Sequence, residues 1–255
     1  MKDIVEKGRK DKLHYYVCAT REDMGRVAGQ MAAASIKQLL KEKEIVRVIF
    51  ASAPSQNETL SYLIHDKDID WTRVVGFHMD EYIGLSHDSD QWFKTYLQKN
   101  ITDKIKMKDF HFLDGTANPE EEMKRYSSLL NESPIDLVCL GIGENGHIAF
   151  NDPPVANFQD TETVKMVELD EYSRQQQVND GCFSALVDVP THALTLTIPI
   201  LISASTLICT VPGKTKKNAV YKVLNEKVST SCPATILKTH ENAHLIMDEE
   251  AYGGQ

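Results

Sequence analysis

The sequence predicts an α/β fold of three layers, a largely parallel sheet with helices on both faces. Three observations predict it. Apolar runs of strand length alternate along the chain with longer amphipathic or capped segments. Several of these runs, such as "IVRVIFASA" at residues 45–53, are apolar or β-branched throughout, as strands buried on both faces must be. No repeat, low-complexity tract or Gly/Ser linker interrupts the 255 residues, so one domain over residues 1–255 is expected.

The elements follow in order. A helix opens at Thr20, with Asp23 three residues on as its capping partner. Met24, Val27, Ala28, Met31, Ile36, Leu39 and Leu40 form its buried face. The strand at 45–53 leads through "PSQNETLSYLI" into a second helix. "RVVGFHM" (73–79) reads as a strand and "SDQWFKTYLQKNI" (89–101) as a helix. Asn118-Pro119 caps "EEEMKRYSSLL", with proline at the first helical position. "IDLVCLGIG" is a strand. "ALTLTIPILISASTLICTV" (193–211) carries no charge over a membrane-spanning length. Leu194, Leu196 and Ile198 alternate with threonine, however, and Pro199 begins a new element, so strand, short helix and strand are expected. "KTKKNAVYKVLN" is a helix and "AHLIMD" a last strand. Ligands of such sheets bind at the carboxyl ends of the strands, which selects the loops after Ala53, Met79, Gly143 and Val211.

Composition excludes some classes of partner. A net charge of −9 leaves no basic surface for nucleic acid. The amino-terminal "MKDIVEKGRKDKLHYY" is charged throughout and lacks a signal-peptide core, and no membrane span is expected. Five scattered cysteines without C-x-x-C spacing point to reduced thiols in the cytoplasm. No metal-ligand spacing is visible.

Two loops carry chemistry. "LGIGENGHIAFNDPP" (140–154) holds Gly141-x-Gly143-x-x-Gly146, the spacing of a dinucleotide fingerprint, and Asp170 falls where a ribose-binding acid could stand. Asn151-Asp152-Pro153-Pro154 would stop the helix that a nucleotide site needs. The other reading has the glycines bringing backbone close to a ligand while His147 moves protons, as histidine side chains can at physiological pH. "FHMDEYIGL" places Asp80 and Glu81 at a strand's carboxyl end, where burial and like charge raise a carboxylate's pKa.

Together, "FHMDEYIGL" and "LGIGENGHIAFNDP" resemble the glucosamine-6-phosphate deaminase (isomerase) family, which is grouped with 6-phosphogluconolactonases among modified Rossmann-like α/β folds. "VPTHALTLTIPIL" and "VPGKTKKNAV" extend the likeness over essentially the whole chain. The resemblance implies aldose–ketose isomerisation with deamination: an aminosugar 6-phosphate becomes fructose 6-phosphate and ammonia, without metal or organic cofactor. His147 matches the residue that moves the ring-opening proton, and Asn145 the position that assists it. Asp80 matches the base that carries the C2 proton to C1. Asp152 stands where the family usually has Glu, and Glu81 is a support. For the sugar phosphate, the resemblance points to Ser55, Gln56 and Asn57 in the turn after the first buried strand, to Gly146 and to Lys216. The family's phosphate arginine is replaced by Asn179 or Asp180, with Arg174 upstream. Glu162 replaces an effector-site arginine. A 6-phosphogluconolactonase-type hydrolase and a non-catalytic sugar-phosphate-binding protein are the alternatives. A homo-oligomer is compatible with all three.

Overall fold

The computed structural model describes residues 3–254. The chain opens with a hairpin, β1 (Ile4–Lys10) and β2 (Leu13–Cys18), which turns through Asp11 in the left-handed region at φ 51°. Next come α1 (Arg21–Glu42), β3 (Val46–Phe50), a 3-10 turn over Pro54–Gln56 and α2 (Asn57–Ile64). β4 (Val74–His78), β5 (Asp80–Tyr82), α3 (Phe93–Leu97), β6 (Asp109–His111), α4 (Pro119–Asn131) and β7 (Leu137–Leu140) follow. The remainder contains β8 (Val164–Glu168), α5 (Glu171–Asn179), β9 (His192–Leu196), α6 (Ile198–Ile202), β10 (Thr206–Val211), α7 (Lys217–Asn225), β11 (Ala243–Asp248) and α8 (Glu249–Tyr252).

Eight strands form one sheet in the order β1-β2-β11-β10-β7-β3-β4-β6, parallel except for β1 against β2. Its two faces are covered separately. Val138 and Leu140 pack with Tyr126 and Leu130 of α4 and Val220 and Val223 of α7. Their neighbours Leu137 and Cys139 pack with Met24, Ala28 and Ile36 of α1 and Leu60 of α2. Period-two alternation therefore explains the unbroken apolar runs: both sets of side chains are inside. Thr20 caps α1 by accepting the Asp23 N–H, and Asn118 caps α4 by accepting from Glu120 and Glu121.

One reading needs correction and one element carried no signal, while the strand, short helix and strand expected over 193–211 are β9, α6 and β10. The two strands join different sheets, because β9 pairs antiparallel with β5 and β8 in a separate three-stranded sheet. Thr195 and Thr197 are buried there as fully as Leu194 and Leu196, since the strand is central. The helix expected over 89–101 begins only at Phe93 and ends in a π-turn over Gln98–Thr102. Trp92 is held outside it, its indole N–H bonded to the Ser86 carbonyl. Finally, the hairpin at 4–18 has no apolar signature, because β1 is a largely exposed, charged edge. No helix among the described residues is long and apolar enough to cross a membrane.

Candidate active site

The carboxyl ends of β3, β4, β7 and β10 converge on one cavity of about 290 Å³. All four loops selected from the sequence contribute to its wall, through Ser55, Asp80, His147 and Lys216 among others.

The loop after β7 presents the histidine. Gly143 and His147 are tied by the Gly143 N–H to the His147 carbonyl at 3.0 Å, and the Gly146 N–H returns to the Gly143 carbonyl at 2.9 Å. The imidazole lies against Gly143 so closely that a Cβ there would fall 2.1 Å from its Cε1. Gly146 turns at φ 88° and Ala149, which lines the cavity, at φ 49°. A left-handed alanine is strained, which marks a loop held by its surroundings. The small sheet does the holding: the Phe150 N–H donates to Thr195 Oγ1 and the Asn151 amide to the Leu196 carbonyl. No helix follows Gly146 before Val164, and Asn151 instead pairs back to Ile148, so the dinucleotide reading fails.

The surroundings of His147 fix its tautomer. Nδ1 lies 2.9 Å from Asn145 Oδ1, 3.0 Å from Asp152 Oδ1 and 2.9 Å from Ser173 Oγ. Asn145 donates its amide to Asp152 at 2.8 Å, so its oxygen must face the ring. Three oxygens around Nδ1 call for a proton there, which leaves Nε2, bonded by no protein group among the described residues, as the basic nitrogen. Burial opposes ionisation of Asp152. The His147 charge and hydrogen bonds from His147, Asn145 and Ser173 outweigh it and hold the carboxyl below its ordinary range. Asn145 and Asp152 thus stand behind the imidazole, outside the cavity wall.

Asp80 opens β5 and lines the cavity, only 7% exposed. Burial first, and the neighbouring Glu81 charge second, raise its pKa well above the usual carboxylate range. Glu81 points the other way, fully buried, and accepts the N–H groups of Tyr82, Phe93 and Lys94 at 2.9–3.0 Å. It anchors the start of α3 and does not face the cavity. Burial pushes its pKa up to about 7 against those three bonds.

The opposite wall offers donors for an anion. Ser55 lines it beside Ser52, whose buried hydroxyl has no partner among the described residues. Gln56 turns away, donating to Thr210 Oγ1 at 2.8 Å and to the Leu140 carbonyl. Asn57 faces outward and accepts from the Tyr96 hydroxyl. Lys216 lines the cavity, buried to 6% exposure, within a 3-10 turn over Lys214–Lys216. Burial lowers its pKa, with the negative charges of Asp180 and Glu144 acting against that. The turn begins at Gly213, φ 88°, whose N–H is shared by both oxygens of Asp248. Arg174 spends its guanidinium on the carbonyls of Leu186 and Val189, away from the cavity, and Gly146 shapes the loop without lining the wall.

The sequence profile of the family described as glucosamine-6-phosphate isomerases/6-phosphogluconolactonase matches residues 19–246. The chain belongs to this family. A glucosamine-6-phosphate deaminase of Bacillus cereus (strain B4264) is 36% identical over 217 residues, 85% of this chain and 80% of that protein. One from Bacillus cereus (strain G9842) is 34% identical over 240 residues, 94% and 88% of the two chains. Among solved structures, a monomeric glucosamine-6-phosphate deaminase superposes with a TM-score of 0.84 at 28% identity, covering 96% of this chain and all of that one. A 6-phosphogluconolactonase from Thermotoga maritima gives 0.77 at 20% identity over 93% of this chain, which shows the shared fold alone.

Within this member of the isomerase/lactonase family, sequence reading missed several cavity residues. Arg21 reaches the wall from the first turn of α1, bonded to Glu58 and the Pro54 carbonyl. Gln176 and Gln177 come from α5, next to Asp180, which ends the helix and was noted above only as standing in place of the phosphate arginine. The available signal was their spacing: residues 173, 176, 177 and 180 fall on one helical face.

Proposed function

We propose that the protein is a glucosamine-6-phosphate deaminase, converting an aminosugar 6-phosphate and water to fructose 6-phosphate and ammonia. One observation carries the reading: Asp80 and the free Nε2 edge of His147 share one cavity, with the acid–base partners of the histidine placed behind it. The relatives at 34–36% identity over most of both chains support it.

Under this proposal His147 Nε2 takes the anomeric hydroxyl proton and returns one as the ring opens, with Nδ1 kept protonated by Asn145, Asp152 and Ser173. Asp80 then takes the C2 proton and delivers it to C1; its raised pKa makes it a competent base when ionised and an acid afterwards. The amine leaves C2 as ammonia as water adds. Each positioned group is worth about 10²–10⁴ in rate. The phosphate is assigned to Ser52, Ser55, Arg21, Lys216 and the N–H groups of the two 3-10 turns. Both sheets serve the one cavity, which supports treating residues 1–255 as a single functional domain. Five cysteines without a disulfide support a cytoplasmic location.

The test is ammonia release from a panel of aminohexoses with and without the 6-phosphate. Expected are turnover of glucosamine 6-phosphate, a loss of about 10²–10⁴ in kcat for Asp80→Asn with an unchanged circular dichroism spectrum, and a raised KM for Lys216→Ala. Hydrolysis of 6-phosphogluconolactone that survives Asp80→Asn, without ammonia from any aminohexose phosphate, would replace the deaminase reading by the hydrolase one.

A further inference from the structure

On the Nδ1 side of His147, away from the cavity, stands a hydroxyl that the proton transfers above do not touch. Ser173 lies in the first turn of α5, 1% exposed. Its oxygen is 2.9 Å from His147 Nδ1, and it donates its proton to Asp152 Oδ1. An ionised carboxylate only accepts, so the hydroxyl proton belongs to Asp152 and the lone pairs of Oγ face the Nδ1–H. Ser173 is no nucleophile in this arrangement. It is buried, it is absent from the cavity wall, and it meets the wrong edge of the ring for the basic nitrogen to activate it.

The helix that carries Ser173 is fastened to the histidine loop a second time. Gln176 Oε1 accepts the Glu144 N–H at 2.8 Å, one turn further along. The same face continues into the cavity wall through Gln176, Gln177 and Asp180. Groups that line the cavity and a group that touches the imidazole thus belong to one face of the same helix.

We propose that Ser173 is a positioning residue, locking Asp152 and the Nδ1 edge of His147 in register with the cavity-lining face of α5. The proposal rests on the deaminase reading for its kinetic test. The groups bearing most strongly on Asp152 are His147 and Asn145 from its own loop and Ser173 from α5. Loss of the serine bond removes one of the contacts that keep Asp152 ionised. It also frees the Nδ1 edge of His147 to shift, which slows the proton transfers without touching the groups that line the cavity.

The experiment compares wild type, Ser173→Ala and Ser173→Thr in ammonia release from glucosamine 6-phosphate near neutral pH. Loss of one charge-assisted bond predicts a fall of about 10- to 30-fold in kcat for Ser173→Ala, with KM within about twofold. Ser173→Thr restores kcat. Wild-type kcat in Ser173→Ala would overturn the proposal, as would equal losses in both variants. Imidazole ¹⁵N spectra of His147 need no substrate and read the same tie: Nδ1–H exchange with solvent accelerates in Ser173→Ala and recovers in Ser173→Thr. A wild-type protein that releases no ammonia defeats the deaminase reading, and the spectra still decide the role of Ser173; exchange unchanged by Ser173→Ala overturns it.

Discussion

At Gly143 a hydrogen atom stands where any side chain would strike the imidazole, and the site tolerates nothing larger. Gly143→Ala is expected to push His147 off its three oxygens and reduce turnover at least about tenfold, while far-ultraviolet circular dichroism stays unchanged. Wild-type activity in that variant would mean that the imidazole position is not critical. The glycine pattern was visible in the sequence, yet it matched a nucleotide fingerprint equally well. Only the helix-stopping Asn151–Pro154 run separated the two readings. Asp80 and Glu81 were also legible as a pair, and strand alternation implies that they face opposite ways. Which of them meets solvent depends on β9, a strand distant in sequence. Gln56, Asn57 and Arg174 were less legible. Each is a polar residue near a helix start, and the rotation of a short turn decides whether its amide or guanidinium meets ligand, core or backbone.

Elements were most legible where burial is two-sided. β3, β4, β7, β10 and β11 all occur within a few residues of the apolar runs that announce them. α5 went unread because its mean hydropathy is low and its buried residues are serine and glutamine, so no apolar stripe marks the face it packs. Connections between elements also rest on polar groups. Arg47 at the start of β3 is 7% exposed and donates to the carbonyls of Leu129, Leu130 and Ser133, closing the end of α4 while its guanidinium covers the Phe77 ring. Arg47→Met strands those carbonyls. The expected cost is about 2–3 kcal/mol, read as a lower urea midpoint with an unchanged slope. A midpoint equal to wild type would show that water replaces the guanidinium without loss.

For the molecule as a whole, the carboxyl beneath the cavity makes stability depend on pH. Glu81 has its pKa raised from an ordinary 4.5 to about 7, chiefly by burial. A raised folded-state value means a contribution that is complete below about pH 4.5 and lost as pH climbs through about 7. Buried His78, lowered to about 3 by desolvation, slopes the other way on the acid side, so the raw curve blends the two. Asp80, also raised by burial, slopes with Glu81, and the difference between wild type and Glu81→Gln reads the Glu81 carboxyl together with its push on Asp80. Wild type should gain on the variant by several degrees in Tm at pH 5 relative to pH 8, on the order of 5 °C. A difference independent of pH would place the Glu81 proton elsewhere.

The strand order has a further consequence. β11 is inserted between β2 and β10, although it follows every other strand of the described residues in sequence. Until it emerges, the hairpin of β1 and β2 has no sheet to join and the β10 edge stays open, so a ribosome-bound chain carries two unpaired edges until residues 243–248 are made. Docking of β11 closes both edges in one step and, through Asp248, sets the Gly213 turn that presents Lys216. Maturation of the sheet and completion of the anion pocket are thereby the same late event.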